Sequence, residues 1–560
     1  MKTNLFSDSR WFRILILATI VLGVFFRFAN LDKKIYWIDE VHSSLRVAGY
    51  HKQEFVDKAP AGRILTIEEL HQFQGLSPDR GWGDTINALA GNAEHTPLYY
   101  VMTRIWMQLF GSSPTVTRSL AAVISLLVFP CLYWLCLELF HSAIVGWIAI
   151  ALVAVSPLHV LYAQEARQYS LFAVAVLLSS AALLRSLRLQ VEFSPFIHTI
   201  LPLQTATQIQ KQTIFNWKFY LSSWGVYAAT VALSLYSHLI SLLFLIGHGL
   251  YVAIAYRIPR ALKNYAIASW IGLMTLLPWV VLYFINSSKI GGWVSRDIPI
   301  ENLVRRWVLN LTAVFLDIQI GNPNQLINVE TGQDLSLNYS NPWLYAIPPI
   351  LILAAYATYF ICRRAPKQRW LFILTLIGTT SFALMFPDII SGGQRSSIAR
   401  YLMPAYLGIE IAVAYLFATK LHAYRVSKLQ RRFWQLAFVA LLAGGIISCT
   451  VSSQAETWWN KYSCYYNAEV AGIINQAKKP LVIVPRERVS RLLSLSYKLD
   501  PETKLLLVEG TNLPPITDGF DQLFLFRTSA DLYEGIEQNS PYLLQPLHPF
   551  GHIWRLEAKN

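Results

Sequence analysis

Long runs of apolar residues, separated by short charged segments, limit what this chain can fold into. Hydrophobic residues fill 54% of its 560 positions and charged residues only 14%, against about 25% charged in an ordinary soluble domain. A run of about 20 apolar residues can cross a bilayer as a helix. The sequence therefore predicts an α-helical polytopic membrane protein with about eleven transmembrane helices, at about 14–29, 118–138, 143–162, 168–186, 217–235, 238–256, 264–285, 342–361, 369–386, 400–419 and 433–451.

The positions of the basic residues predict the orientation of the chain. Its net charge of +14 would suggest nucleic-acid binding in a soluble protein, but here Lys and Arg gather in alternate loops, most clearly at 363–369 and 425–432. This is the positive-inside pattern of membrane proteins. We therefore expect no nucleic-acid partner, a retained N-terminal anchor, a cytoplasmic N-terminus, and an extracytoplasmic C-terminal segment in the plasma (inner) membrane.

Two long loops are predicted on the extracytoplasmic side, at 30–117 and 286–341. The first is too long for a simple connector. Its stretch 97–110 is apolar, but it is short for a bilayer and carries Arg104 at its centre, which favours an interfacial helix over a span. The second loop contains turn signals at 291–293, 322–324 and 341–342, which are typical of irregular backbone.

The pattern changes after residue 452. Short apolar runs at 481–484, 504–508 and 522–526 read as strands, and helical patterns near 466–477, 487–498 and 530–538 separate or precede them. We predict a transmembrane domain at 1–451 and a small extracytoplasmic α/β domain at 452–560. No glycine-rich phosphate loop accompanies these strands, so we expect no nucleotide there.

The pair Asp39 and Glu40 follows the first apolar run, where the chain is predicted to leave the membrane. Adjacent side chains point in different directions in a helix or a strand, so only one carboxylate can easily face a given site. The other is expected to be structural. Taken alone, Asp39 could also be the N-cap of an amphipathic helix that follows it.

Further polar residues are predicted at the same membrane face. Arg118 begins the second span, the segment 164–169 joins the third and fourth, and His238 and Arg400 begin the sixth and tenth. A lone arginine at a span end is usually a snorkelling side chain. Several arginines together with carboxylates suit a substrate with an acidic phosphate and a hydroxylated body, because guanidinium binds phosphate bidentately and a carboxylate can accept a hydroxyl proton.

An ordered set of motifs resembles a known enzyme family. The motifs are Tyr36-Trp37-Ile38-Asp39-Glu40, His95-Thr96-Pro97-Leu98-Tyr99-Tyr100, Gly111-Ser112 with Arg118-Ser119-Leu120, Ser156-Pro157 with Tyr162-Ala163-Gln164-Glu165-Ala166-Arg167-Gln168-Tyr169-Ser170, and Arg400-Tyr401-Leu402-Met403-Pro404. Together they resemble the bacterial branch of the protein O-mannosyltransferase and aminoarabinose-transferase superfamily, the glycosyltransferase family 39-like membrane enzymes with the GT-C fold. The likeness covers about residues 10–420.

This resemblance implies a transferase that moves a sugar, with inversion, from a polyprenyl-phosphate donor to an extracytoplasmic acceptor. It implies that Asp39 acts as or beside the general base, and that Glu165 positions donor or acceptor. Arg118, Arg167 and Arg400 would bind the lipid phosphate. We also include Glu40 among the catalytic candidates, and we expect further substrate-site residues at His95, Gln164, Tyr169, His238 and Tyr401. Family members often have His-Pro-Pro-Leu where this chain has His95-Thr96-Pro97-Leu98, which weakens a specific role for His95.

The sequence indicates no cofactor: a divalent metal is compatible with it, but no His or Cys ligand spacing points to one. The sugar, a hexose, pentose or amino sugar, and the acceptor, a lipid, a glycan or a protein, stay open. A multi-span transporter or lipid flippase is the chief alternative, because charges at span ends also mark substrate pathways. A noncatalytic sensor with an outer ligand domain is a third reading. Only the transferase predicts conversion of the donor to free polyprenyl phosphate.

Overall fold

The chain folds as a helical membrane protein with a small C-terminal sheet domain. The structure is a computed structural model and describes residues 10–192, 206–256, 259–286, 292–319, 326–329, 335–422, 427–511, 513–516 and 519–559. Within these ranges, seven helices are long and apolar enough to cross a membrane, and two bent helix pairs raise that number to nine. Each of the eleven predicted spans overlaps a helix or a bent helix pair, but the count of eleven is not confirmed.

The N-terminal part consists of one apolar helix, a long loop that is itself folded, and four helices that continue into the bundle. The apolar helix is α1 (Arg10–Phe28), which predicted span 14–29 overlaps. The loop contains α2 (Ile38–Ala48), α3 (Lys52–Lys58), β1 (Ile64–Leu65), α4 (Ile67–His71), α5 (Trp82–Ala90) and α6 (Leu98–Phe110). The chain then continues through α7 (Pro114–Leu126), α8 (Val128–Phe140), α9 (Ala143–Ala154) and α10 (Pro157–Ala163).

Helix α6 belongs to the folded loop and is not among the helices long and apolar enough to span. Its Arg104 is buried and donates to the carbonyls of Val47 and Arg80 and to the hydroxyl of Thr85. Loop residues therefore accept three hydrogen bonds from this cation in the middle of a short apolar helix, and its Nε has no partner.

Within the described residues, the bundle continues with nine more helices and a second loop. The helices before that loop are α11 (Tyr169–Glu192), α12 (Ala206–Ser237), α13 (Ser241–Ala255), α14 (Pro259–Thr275) and α15 (Leu277–Ile285). The loop holds α16 (Ile300–Thr312) and the hairpin of β2 (Ile327–Val329) and β3 (Leu335–Leu337), and the turn signal predicted at 322–324 lies outside the described residues. The last helices of the bundle are α17 (Ile347–Arg364), α18 (Lys367–Ser391), α19 (Met403–Leu421) and α20 (Lys428–Gln454).

A bend of 64° separates α9 from α10. The buried guanidinium of Arg27 in α1 donates to the carbonyls of Val153 and Ala154 at the end of α9, and also to the carbonyl of Gly23. Carbonyl groups at a helix C-terminus lack intrahelical partners and carry partial negative charge. Arg27 therefore stabilises the end of α9 and lets α10 leave in a new direction, toward the polar turn at 164–168.

The C-terminal domain is built on a six-stranded sheet. Its elements are α21 (Asn467–Ile474), β4 (Pro480–Pro485), α22 (Val489–Ser496), β5 (Lys504–Val508), β6 (Gln522–Phe526), α23 (Ala530–Asn539), β7 (Tyr542–Pro546) and β8 (Ile553–Ala558). The strand order is β1-β5-β4-β6-β8-β7, with β5, β4 and β6 parallel. All three predicted strands and helices are present, whereas β7 and β8 were not predicted.

One strand of this sheet comes from the first loop. Ile64 and Leu65 of β1 pair antiparallel with Leu506 and Leu505 of β5, and α22 packs against α2 and α3. Apolar residues of α2, α4, β4 and α22 share one core, including Val41, Leu70, Val484 and Leu492. The first loop and the C-terminal domain are thus joined by backbone hydrogen bonds and by a common hydrophobic core, and they lie at the same end of the bundle.

Candidate active site

Helix α2 presents the two adjacent carboxylates to different surroundings. It begins at Ile38 with Trp37 as its N-cap, and the Glu40 carboxylate accepts the backbone N–H of Trp37 at 3.4 Å. Asp39 therefore does not cap the helix, so the N-cap interpretation of this residue is wrong. One side chain of the pair is enclosed and the other is 24% exposed, as expected for neighbours on a helix.

Glu40 is fully buried in an ion pair with Arg118. Its two carboxylate oxygens each accept a 2.7 Å hydrogen bond from Arg118, through Nε and Nη2. The remaining N–H groups of Arg118 donate to the carbonyls of Leu31, Lys34 and Ile35. All five donors of this guanidinium are occupied, so no donor is left for a phosphate. In this structure Glu40 and Arg118 hold the start of α2 against α7. These contacts favour a structural role for both residues, and their catalytic and phosphate-binding roles stay predictions.

Asp39 faces Arg400 across the junction between α2 and the segment before α19. The distance from Asp39 Oδ2 to Arg400 Nη2 is 3.2 Å. The guanidinium of Arg400 also lies over the rings of Tyr169, Trp37 and Tyr401, at 5.3, 5.6 and 5.7 Å from their centroids. These aromatic faces favour a cation at this position and keep Arg400 in place beside a partly exposed carboxylate.

Arg167 lies on the other side of Asp39. Its Nη1 donates to the Ser43 hydroxyl at 2.9 Å, to the Tyr100 hydroxyl at 3.2 Å and to the Asp39 backbone carbonyl at 3.3 Å. Burial would raise the pKa of the Asp39 carboxyl, but the charges of Arg400 and Arg167 lower it below its ordinary value. Asp39 is therefore ionised at neutral pH and able to accept a hydrogen bond or a proton.

Four further predicted residues surround this centre. Tyr169 accepts a hydrogen bond from Arg167 Nη2 at 3.3 Å, and the ring of His238 lies 6.1 Å from that of Tyr169 and 5.8 Å from that of Tyr401. His95 lies 6.0 Å from the ring of Tyr100. Burial, with the positive charges of Arg46 and Arg167, lowers the pKa of His95 well below its ordinary value, so His95 is neutral here.

Glu165 is held in a buried ion pair that the sequence did not reveal. Its Oε1 accepts from Lys461 Nζ and, at 3.5 Å, from Asn460 Nδ2. Lys461 follows α20 and also lies 4.9 Å from the ring centroid of Trp37. Glu165 Oε2 has no hydrogen-bond partner in the structure. The ion pair ties the turn after α10 to the start of the C-terminal domain beside the N-cap of α2.

Gln164 is a structural link rather than a residue at the Asp39 centre. Its amide nitrogen donates to the carbonyls of Phe26 and Ala29, and its amide oxygen accepts from Lys34 Nζ at 3.1 Å. Burial, together with the charges of Lys461 and Arg118, lowers the pKa of Lys34 to about 7. Gln164 therefore fixes the end of α1 against the turn after α10, and its place at the substrate stays a prediction.

Sequence reasoning missed two residues of the centre that share a helix with Asp39. His42 and Arg46 lie three and seven positions after Asp39 in α2, which places all three on one face of the helix. His42 Nε2 and Arg46 Nη1 are buried without a hydrogen-bond partner. Burial, with the charges of Arg46 and Lys52, lowers the pKa of His42 to about 3. The helical spacing was the signal that could have found them.

The centre has a surplus of unused hydrogen-bond donors. Besides Arg46 Nη1, the Nε atoms of Arg167 and Arg400 are buried without partners. A buried polar group without a partner is costly, and a buried cation more so. Three arginines around one carboxylate therefore make a site that an anionic ligand would stabilise. Within the described residues, no group of three or more His, Cys, Asp or Glu side chains is arranged to hold a metal ion.

Comparisons with known proteins give matches among solved structures. No family model matches the chain, and a search of curated proteins finds no match. The chain is similar to ArnT from Cupriavidus metallidurans bound to undecaprenyl phosphate, with a TM-score of 0.47, 11% identity and 98% of each chain covered. The same protein in the apo state gives a TM-score of 0.47 and 12% identity, over 98% of this chain and 97% of that one.

A third solved structure is the archaeal oligosaccharyltransferase AglB from Archaeoglobus fulgidus, in complex with an inhibitory peptide and a dolichol phosphate. Its TM-score is 0.40 and its identity 13%, over 88% of this chain and 64% of that one.

Proposed function

We propose that this protein is a membrane glycosyltransferase. It moves a sugar from a polyprenyl-phosphate donor to a hydroxyl group of an acceptor on the extracytoplasmic face, with inversion at the anomeric carbon. The observation that carries this proposal is the partly exposed Asp39 carboxylate, 3.2 Å from Arg400, among buried guanidinium nitrogens that have no partner. This pairing of a base with unused cationic donors sits at one end of a bundle of membrane helices.

The positive charges of Arg400 and Arg167 can stabilise the leaving group, a polyprenyl phosphate. A polyprenyl phosphate that departs from the sugar takes the electron pair of the broken carbon–oxygen bond and gains negative charge on its phosphate. Arg400 and Arg167 can stabilise that charge, because preorganised cationic donors act strongly in a site shielded from water. Arg118 takes no part, since its donors are used within the protein.

Asp39 is positioned to act as the base that takes the proton of the acceptor hydroxyl, which is the nucleophile. The acceptor hydroxyl oxygen forms the new bond to the anomeric carbon, and the hydroxyl proton passes to the Asp39 carboxylate. Arg400 and Arg167 hold the pKa of this carboxyl low in the free protein, against the effect of burial. A bound phosphate would share the charge of these arginines, so the donor itself would make Asp39 a stronger base. Binding of the donor and activation of the acceptor are then linked through one cluster.

Tyr169, Tyr401 and His238 would line the sugar-binding part of the site. Their rings pack against one another, and the guanidinium of Arg400 lies over the two tyrosines. This packing fixes the direction of the Arg400 side chain, and such orientation is a main source of rate in a displacement reaction. Glu165, with its unpaired Oε2, positions the site indirectly by joining the turn before Arg167 to Lys461.

The test is consumption of the donor by the whole protein in lipid vesicles. A panel of radiolabelled polyprenyl-phosphate hexoses, pentoses and amino sugars is supplied together with a membrane fraction as the source of acceptor. The transferase predicts release of free polyprenyl phosphate and an equal amount of label in an acceptor. A donor that crosses the bilayer with its sugar still attached would instead indicate a transporter or flippase and would overturn the proposal.

A further inference from the structure

Five cations from separate parts of the chain come together beside the Asp39 centre. They are Arg46 of α2, Lys52 of α3, Arg488 and Arg491 at the start of α22, and Arg527 after β6. We call this set the cationic face. Its members are brought together because α22 packs against α2 and α3, and because Arg527 donates to the carbonyl of Ser463, next to the buried Cys464.

None of the five makes an ion pair with a carboxylate within the described parts of the chain. Other cations in the same two regions do: Arg63 pairs with Glu69, Arg80 with Glu54, Arg486 with Glu509 and Arg555 with Glu557. The cationic face differs from these four ion pairs because its five cations lie together without a carboxylate partner; other cations of the two regions, such as Arg104 and Lys504, also make no ion pair within the described residues but stand apart from this set.

Three members of the cationic face also have buried nitrogen atoms without a hydrogen-bond partner. These atoms are Arg46 Nη1, Arg491 Nη1 and Arg527 Nε. Arg46 is only 7% exposed. The positive charges repel one another, since partial burial and the charges of Arg491, Arg46 and Arg488 all lower the pKa of Lys52. Unpaired cations held together and partly shielded from water are costly unless an anion compensates them.

The position of Arg46 links the cationic face to the proposed chemistry. Arg46 follows Asp39 by two helical turns on the same side of α2. The opposite end of the cationic face belongs to the C-terminal domain, whereas Arg167 and Arg400 belong to segments that join the membrane helices. A lipid-linked donor must reach the centre from the membrane. The acceptor reaches the centre from the side of the C-terminal domain. The cationic face lies on that side, so it is positioned to contact the acceptor.

We propose that the cationic face binds the acceptor, and that the acceptor carries an anionic group, a phosphate or a carboxylate, that contacts Arg491 and Arg527. This inference rests on the proposed function, because it names the acceptor class of the same site. The C-terminal domain then has a direct part in the reaction: it supplies three of the five cations and orients the acceptor hydroxyl toward Asp39.

The first arm of the test measures binding and does not depend on transfer. The full chain in phosphatidylcholine nanodiscs is titrated calorimetrically with glucose 6-phosphate and with glucose. We expect the phosphorylated sugar to bind at least about 10-fold more tightly, and the Arg491→Gln/Arg527→Gln variant to lose that preference. The matched control is Arg486→Gln/Arg555→Gln, which removes two arginines of the same domain that already have carboxylate partners, and it should bind as the wild type does.

A charge-conserving variant, Arg491→Lys/Arg527→Lys, guards against a loss caused by misfolding and should retain most of the preference. Equal binding of the two sugars by the wild type would overturn the inference. Unchanged binding of glucose 6-phosphate by Arg491→Gln/Arg527→Gln would also overturn it, because the anion would then be bound elsewhere.

The second arm measures transfer from the polyprenyl-phosphate donor into a membrane fraction. Arg491→Gln/Arg527→Gln should raise the KM for the acceptor about 10-fold or more and leave the KM for the donor unchanged. An unchanged acceptor KM would refute the acceptor assignment even if binding of glucose 6-phosphate were lost. Failure of the wild type to consume any donor would refute the proposed function instead, and the binding arm would still decide whether the cationic face is an anion site.

Discussion

Asp39 and Glu40 are adjacent in the chain, but their carboxylates differ in burial and in hydrogen-bond partners. Glu40 is enclosed, and both its oxygens accept from Arg118. Asp39 keeps 24% of its side chain exposed, and its partner is Arg400 at 3.2 Å. A group that must exchange a proton with substrate needs such access. The different surroundings of Asp39 and Glu40 arise because two consecutive side chains on α2 point in different directions.

The contacts of Arg118 favour a role in stabilising the fold over a role in binding the donor phosphate. One substitution distinguishes these two roles. Arg118→Gln would leave the Glu40 charge buried without its partner, which costs about 3–5 kcal/mol. We expect a large drop in the thermal unfolding midpoint of the purified protein. Arg63→Gln, which removes an exposed cation paired with Glu69, should cost no more than about 1 kcal/mol. A stable Arg118→Gln protein with a raised KM for the donor would contradict this assignment.

The pH dependence of sugar transfer should follow the ionisation of the Asp39 carboxyl. Burial raises the pKa of Asp39, and Arg400 is the largest of the groups that lower it. The active form is the ionised carboxylate, so activity falls as the pH drops through this pKa. In Arg400→Gln the pKa rises, and the acidic limb of the kcat/KM profile should move to higher pH.

The matched control for that profile is Arg395→Gln. Arg395 lies five residues before Arg400 but pairs with Asp388 at 3.0 Å. Its removal should leave the acidic limb where it is in the wild type. An acidic limb that stays in place in Arg400→Gln would show that Asp39 is not the group whose ionisation limits the rate.

At the scale of elements, the turn that carries Glu165 and Arg167 depends on how α1 meets the end of α9. Arg27 holds the terminal carbonyls of α9, and Gly23, one turn earlier in α1, lets the two helices approach closely. A Cβ added at Gly23 would lie 2.4 Å from the Ala154 carbonyl oxygen. Close contact between helices in a membrane commonly relies on such small residues.

Gly23→Ala should therefore push α1 away from α9 and destabilise the protein by about 1–3 kcal/mol, the usual cost of overpacking. Gly225→Ala is the control, because a Cβ at Gly225 meets nothing within 4 Å and alanine favours helix. Thermal unfolding of both variants in the same detergent is the measurement. Equal stability of the two variants would show that the contact between α1 and α9 can relax.

Elements were predictable where local pattern determines them. Long apolar runs located the membrane helices, and short continuous apolar runs located β4, β5 and β6. Strand β7 was missed because its apolar stretch, Tyr542-Leu543-Leu544, has only three residues and is followed by Gln545 and Pro546. Strand β1 has only two residues, and its partner β5 lies more than 400 positions away in the chain. Such pairing is set by tertiary contacts, which one sequence does not encode locally.

The same limit applies to the site. Motif order brought Asp39, Arg167 and Arg400 onto one list of candidates, and the structure places them together. The sequence could not show that Glu40 would use up Arg118 or that Lys461 would use up one oxygen of Glu165, because these partners are 78 and 296 positions apart. A cation is available for a ligand only if no such pair uses its donors, and these pairs form only in the folded protein.

At the scale of the whole molecule, the first loop and the C-terminal domain must face the same compartment, since β1 and β5 share a sheet. Cysteines introduced at Lys58 and Glu534 in a cysteine-free background should react together with a membrane-impermeant reagent from the periplasmic or outer side. A cysteine at Lys367, in the basic turn between α17 and α18, should react only after the membrane is opened. The reverse labelling pattern would show that the proposed orientation is wrong.

The most direct test of the central claim is the rate of donor consumption by Asp39→Asn in lipid vesicles. Asparagine keeps the shape of the side chain but cannot take the acceptor proton, so we expect release of polyprenyl phosphate to fall at least about 100-fold. Asp79→Asn, at an exposed position of the same loop, should retain the wild-type rate, and both variants should unfold at the wild-type temperature. A folded Asp39→Asn protein that consumes donor at the full rate would contradict the account.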